Sequence, residues 1–171
     1  MVKPRGMRQR QPQSPTLFLD FDGVLHPDAV YRQAGRIVLR VDGVSLFEWG
    51  GILEELLLPY PELQLVLSTT WVRVLSLEVA RSHLPDTLQR RVVGGTWYET
   101  APRRWNNMTR YEQVLHAVNR HRHVRWLAID DDGLGWPAEH RDHLVLTDPL
   151  VGLGDSDAQT ELRMKLELLH R

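Results

Sequence analysis

The chain has 171 residues, the length of one globular domain, and its composition is that of an ordinary soluble protein, 42% hydrophobic and 25% charged. The net charge of −1 gives no overall basic character of the kind that marks a nucleic-acid-binding domain. The absence of cysteine excludes disulfides, thiolate metal sites and a cysteine nucleophile, and no apolar run approaches the ~20 residues of a membrane span. With no apolar segment behind the basic start to suggest a signal peptide, a cytoplasmic location is expected.

Residues 1–15 hold Lys3, Arg5, Arg8 and Arg10 and no acid, and almost nothing apolar. They are expected to form a disordered basic tail, either simply solvated or in contact with RNA or phosphate groups. The rest, 16–171, is expected to be one domain. Thr16 to Leu19 reads as a buried strand that enters a loop at Asp20-Phe21-Asp22-Gly23. Residues 36–41 alternate in polarity and meet Asp42-Gly43, a turn signal, so a small hairpin is expected there. Ser45 and Glu48 have capping-box spacing and would open a helix over 45–58.

Leu63 to Leu67 reads as the second buried strand, ending at Ser68-Thr69-Thr70-Trp71, with a helical pattern to about His83. Arg91 to Val93 suits a short third strand. Thr109 and Glu112 form another capping box, opening a helix over 110–122. Val124 to Ile129 is a strand that stops at Asp130, Asp131 and Asp132. Leu144 to Leu146 is the fifth strand, and 157–170 is a helix with Leu162, Leu166 and Leu169 on one face. Strands alternating with helices indicate an α/β three-layer sandwich around a parallel sheet. In such sheets ligands bind beyond the carboxyl ends of the strands.

Asp20, Asp22, Ser68, Asp130 and Asp131 all fall at those ends. Crowded carboxylates are costly unless a cation sits among them, and hard oxygen donors favour Mg²⁺. An Asp-x-Asp pair in extended chain turns both carboxylates to one side, so one can attack phosphorus while the other moves protons. Taken alone, Asp-x-Asp-Gly is a weak signal and reads more readily as a turn.

Leu17 to Leu25 (Leu-Phe-Leu-Asp-Phe-Asp-Gly-Val-Leu) resembles the first motif of the haloacid dehalogenase (HAD) superfamily. Val66-Leu67-Ser68 resembles its second motif and Ala128-Ile129-Asp130-Asp131 its fourth. The third is a basic residue, usually Lys, for which Arg110 is the best match. Ser68-Thr69-Thr70-Trp71, Asp130 to Asp132 with Trp136, and Thr147-Asp148-Pro149 with Gly152-Leu153 resemble a narrower branch, the HAD domains associated with RNA-repair proteins.

The resemblance implies Asp20 as nucleophile and Asp22 as general acid/base. It implies Ser68 and Arg110 on the phosphoryl group, and Mg²⁺ held by Asp20, Asp131 and the Asp22 carbonyl. Asp130 would support the metal ligands from outside. At a helix start Arg110 opposes the helix dipole, and a local rule broken near a site points mildly to function; the alternative is a solvated surface arginine. Segments 23–67 and 111–129 are too short for the cap domains of this superfamily, so a capless, open site with a β-hairpin flap is expected. Such a site suits a phosphate on a macromolecule, a nucleic-acid end or a phosphoprotein.

The expected function is Mg²⁺-dependent phosphomonoester hydrolysis. A phosphotransferase and a non-catalytic phosphate-binding module are the alternatives. Trp71, Trp97, Trp105 and Trp136 can stack on bases or pack in the core, and packing is expected for most. His121/His123 and His140/His143 lack a third ligand and read as surface residues. Gly152-Leu-Gly154 lacks the third glycine of a dinucleotide loop, and no Walker loop is present.

Overall fold

The computed structural model describes residues 13–171, so the expectation of a disordered tail falls almost wholly outside the described residues. The chain order is β1 (Thr16–Leu19), β2 (Val30–Gln33), β3 (Arg36–Leu39), α1 (Gly50–Leu57), β4 (Gln64–Leu67), α2 (Thr70–Leu75) and α3 (Leu77–Ser82). It continues with α4 (Asp86–Gln89), β5 (Val92–Gly95), α5 (Arg110–His121), β6 (Trp126–Asp130), β7 (Leu144–Leu146) and α6 (Ser156–Leu169). Five strands form one parallel sheet in the order β5-β4-β1-β6-β7, and β2 and β3 form a separate antiparallel hairpin.

Period-2 alternation divides the sheet's side chains between two cores. Leu17, Leu19, Leu65, Leu67, Leu127 and Ile129 face one side, where Leu53 and Leu57 of α1 and Leu162 and Leu166 of α6 close the core. Phe18, Val66, Ala128 and Leu144 face the other, against Val114, Ala117 and Val118 of α5. A single long helix covers that second face, and Trp126 and Trp136, each 6% exposed, fill the remaining area. Trp71 and Trp105 are buried as well, so packing is the fate of most tryptophans, with Trp97 half-buried. His121 is exposed as expected, but His140 and His143 are more than surface residues. His143 stacks on Trp126 at 4.1 Å between ring centroids, and His140 pairs through Nδ1 with the Tyr111 hydroxyl at 2.9 Å.

Three expectations need correction, each at a non-glycine residue with positive φ. The hairpin turns at Ala34-Gly35 (φ +49° and +78°), not at Asp42-Gly43, because that pair supplies the two left-handed residues of a tight hairpin turn. Helix α1 starts at Gly50, not 45. Glu48 does accept the Ser45 N–H, but Phe47 at φ +59° breaks the helical path between them. The helix after Trp71 is broken at Ser76 (φ +112°), whose hydroxyl accepts the Val79 N–H and starts α3. The capping box of α5 is present in both directions between Thr109 and Glu112. No helix among the described residues is long and apolar enough to cross a membrane.

Candidate active site

Sheet register brings the site together. Leu19 pairs with Leu67 on one side and Ile129 on the other, so Asp20, Ser68 and Asp130 emerge side by side from three adjacent parallel strands. Ligand atoms of Asp20, Asp130 and Asp131 lie within 4.8 Å of one another, an all-oxygen set of the kind that suits Mg²⁺. The Ser68 hydroxyl is buried and has no hydrogen-bond partner among the described residues. An orphaned buried hydroxyl is costly, and a phosphoryl oxygen beside Asp20 would satisfy it.

Arg110, at the first turn of α5, reaches this cluster. Its Nη2 donates to Asp20 Oδ2 at 3.3 Å, and its Nε lies 3.1 Å from Asp130 Oδ2. The second approach is a charge contact and not an aligned hydrogen bond, since Nε has no hydrogen-bond partner among the described residues. Gln113, one turn on, accepts from Nη1 at 3.1 Å, and its own amide donates to the carbonyls of Trp105 and Met108, both at 3.3 Å. The carboxylates around the guanidinium outweigh its burial, so its pKa lies above the ordinary arginine value. Here the unfavourable helix-dipole position is offset by direct pairing.

Burial raises the Asp20 carboxyl above its ordinary value. Arg110 opposes that rise and Asp22 adds to it. Asp130 is raised well above the ordinary range, by burial first and then by Asp20. Asp131 is pushed up to about 7 by burial, with Asp20 and Asp28 adding.

Asp22 belongs to the same loop but not to that cluster. Its Oδ1 accepts from His26 Nε2 and its Oδ2 from Trp71 Nε1, each at 3.0 Å. Three hydrogen bonds anchor the loop between Asp22 and His26. Thr147 Oγ1 donates to the Gly23 carbonyl at 2.8 Å, Leu153 N–H to that of Val24 at 2.9 Å, and Trp49 N–H to that of Leu25 at 3.0 Å. This is the local use of Thr147 and Gly152-Leu153. Gly23 sits at φ +70°, and a Cβ there would overlap the Asp131 carboxylate, so only glycine lets the loop approach this closely.

The structure therefore gathers Asp20, Ser68, Arg110, Asp130 and Asp131 at one point, with Asp22 beside them. Sequence reasoning did not assign Gln113, His26 or Trp71 to the site. Gln113 was findable from its i+3 spacing to Arg110 on one helix face. Trp71 closes the Ser68-Thr69-Thr70-Trp71 run, which marked it without a role, and nothing local marks His26.

The site is open, since 23–67 carries only the hairpin and α1, and 111–129 only α5 and most of β6. A cavity of about 190 Å³ lies beside Asp22, between the hairpin and α2, walled by Tyr31, Ile37, Trp71 and Val74. A second, of about 110 Å³, lies toward Arg110 and is lined by Arg73, Trp97, Asn106 and Gln113.

Neither curated proteins nor solved structures give a match to this chain. Residues 16–158 match the family described as the HAD domain in Swiss Army Knife RNA repair proteins. That span covers most of the chain, including the carboxylate cluster, Ser68 and Arg110, and the protein therefore belongs to this family of phosphohydrolase-like HAD domains.

Proposed function

We propose that the protein hydrolyses a phosphomonoester at a nucleic-acid end, with Mg²⁺, through an aspartyl-phosphate on Asp20. The observation that carries this is the setting of the Asp20 carboxylate: on the strand end beside Ser68, whose buried hydroxyl is unpartnered among the described residues, paired with the Arg110 guanidinium and within the acidic cluster. Asp20 attacks phosphorus as the bond to the leaving oxygen breaks, and Asp22 gives that oxygen its proton. Asp22 then takes a proton from water as water attacks the phosphorus, which frees Asp20 and inorganic phosphate. Ser68 and Arg110 bind the phosphoryl oxygens through both steps. Mg²⁺, held by Asp20, Asp131 and the Asp22 carbonyl, would neutralise charge on those oxygens.

The leaving group departs on the Asp22 side, where the cavity under the hairpin has an aromatic and apolar wall. A nucleobase suits such a wall, the open site admits a polymer, and the family description points to RNA. The test is a Mg²⁺-dependent turnover panel of phosphorylated oligonucleotide ends, sugars and phosphopeptides, with intact-mass detection of a phosphoryl adduct on the protein. Oligonucleotide ends are expected to be the best substrates. The absence of both adduct and turnover across the panel would leave a phosphate-binding module.

Arg110→Ala is expected to lower kcat/KM by about 10²–10³-fold with the fold retained, the usual loss for one preorganised charge donor. Arg110→Lys should retain more activity than Ala, because it keeps a charge beside Asp20 while losing the second contact. Full activity in the alanine variant would move the phosphate-binding role elsewhere.

Mg²⁺ should stabilise the protein in a pH-dependent way. Asp131 has a folded pKa of about 7, above its ordinary 3.8. Between those values the folded state holds a proton that the unfolded state lacks, so stability falls as pH rises through that window. The full penalty is present above about pH 7, where a bound cation offsets it. At saturating Mg²⁺ the melting temperature should rise by roughly 5–10 °C at pH 8 and by much less at pH 5. The Mg²⁺ increment is the quantity to compare, because burial holds His83 and His123 below their ordinary pKa and costs stability on the acid side. Equal increments at both pH values would argue against Asp131 as a ligand.

A further inference from the structure

His26 is fully buried, and both of its ring nitrogens are engaged. Nδ1 accepts the Phe47 N–H at 3.2 Å, and Nε2 faces Asp22 Oδ1 at 3.0 Å. A ring nitrogen that accepts from a backbone N–H carries no proton, so the proton must be on Nε2, pointing at Asp22. The tautomer is thus set by Phe47, one of the non-glycine residues with positive φ. A bulky residue at φ +59° is a backbone outlier, and such strain persists only where surroundings over-determine it. Here the Phe47 ring packs edge-on against His26, Phe21 and Trp71 at 4.8, 5.0 and 5.4 Å, and lies flat against His83 at 5.5 Å. The same conformation cuts α1 short and aims the Phe47 N–H at His26.

Trp71 Nε1 holds the other Asp22 oxygen, so the carboxylate plane is fixed from both ends. Both donors are neutral. They orient the carboxylate without the counter-charge of an arginine or lysine, and two of its lone-pair sites stay free for proton exchange.

We propose that His26 is a positioning residue, which holds the Asp22 carboxylate, through a tautomer dictated by the Phe47 N–H, in the orientation that protonates the leaving oxygen and then activates water. The proposal rests on the acid/base reading of Asp22 given above.

The test compares two amide substitutions in the full chain with Mg²⁺. His26→Gln places an amide nitrogen near the position of Nε2 and can still donate to Asp22. His26→Asn reaches only the position of Nδ1. Single-turnover rates are measured with an aryl phosphate, whose leaving group needs little protonation, and with an alkyl phosphate, whose leaving group needs much.

His26→Asn should slow the alkyl phosphate at least about 10-fold more than the aryl phosphate, with KM little changed, and aspartyl-phosphate should accumulate. His26→Gln should recover most of the loss. Equal losses on both substrates, or a glutamine variant as impaired as the asparagine one, would overturn the proposal. Asp22→Asn is run in parallel. If it shows no leaving-group dependence, the reading of Asp22 falls and the proposal with it; if it does and His26→Asn does not, only the proposal falls. Ring ¹⁵N shifts of His26 in the unsubstituted protein give a readout independent of folding in the variants. A protonated Nε2 and a bare Nδ1 are expected, and the opposite tautomer overturns the proposal.

Discussion

Asp20→Asn protein is expected to turn over no phosphomonoester and to carry no phosphoryl group after exposure to an aryl phosphate and Mg²⁺. An amide cannot serve as the attacking carboxylate. The loss should not be one of folding. Asp20 is 4% exposed, and burial is the largest influence on its carboxyl, so removing that charge relieves a crowded site. Arg110 keeps Asp130 as a partner. Without added metal the variant should therefore melt no lower than the unsubstituted protein, while its Mg²⁺-induced gain shrinks because one ligand has gone. An inactive but stable variant is the signature of a residue kept for chemistry at the expense of stability. Continued turnover, or an adduct on another residue, would show that Asp20 is not the nucleophile.

The parts of this site legible in the sequence are those set by strand periodicity. Leu17 to Leu19, Leu65 to Leu67 and Leu127 to Ile129 are buried apolar runs, and each stops at a polar residue. Parallel pairing places those stops on one edge, which is why Asp20, Ser68 and Asp130 were findable without coordinates. Arg110 was findable as a position, from the capping box before it, but its reach to Asp20 depends on how α5 packs over Phe18 and Val66. The illegible parts share one feature. Ala34, Phe47 and Ser76 adopt positive φ that their side chains do not favour: Phe47 is held by the rings packed around it, whereas exposed Ala34 sits in a tight hairpin turn and exposed Ser76 caps α3. The partners of Asp22 were hidden because each depends on a contact between residues distant in sequence: His26 is held by the Phe47 N–H, 21 residues on, and Trp71 reaches Asp22 from 49 residues on.

Asp22→Asn should fail in a different way from Asp20→Asn. The backbone carbonyl of residue 22 is unchanged, so the Mg²⁺-induced stabilisation should persist. The side chain now offers one acceptor and one amide donor to two donors, His26 Nε2 and Trp71 Nε1. One of those is left facing another donor, which costs about 1–3 kcal/mol when buried, and toward the lower end here because Asp22 is 21% exposed. The variant should therefore melt below the unsubstituted protein, the opposite direction from Asp20→Asn. Asp20 can still attack phosphorus, and with an aryl phosphate the leaving group needs little protonation, so the first step should survive. Proton abstraction from water should not, and steady-state turnover should fall by about 10²–10⁴-fold. Intact-mass analysis during single turnover should then show the aspartyl-phosphate building up and decaying slowly, where the unsubstituted protein shows it only briefly. An alkyl phosphate should give little adduct, because its leaving group waits on the missing proton. Equal losses on both phosphates, with no accumulating adduct, would assign the proton transfers to some group other than Asp22.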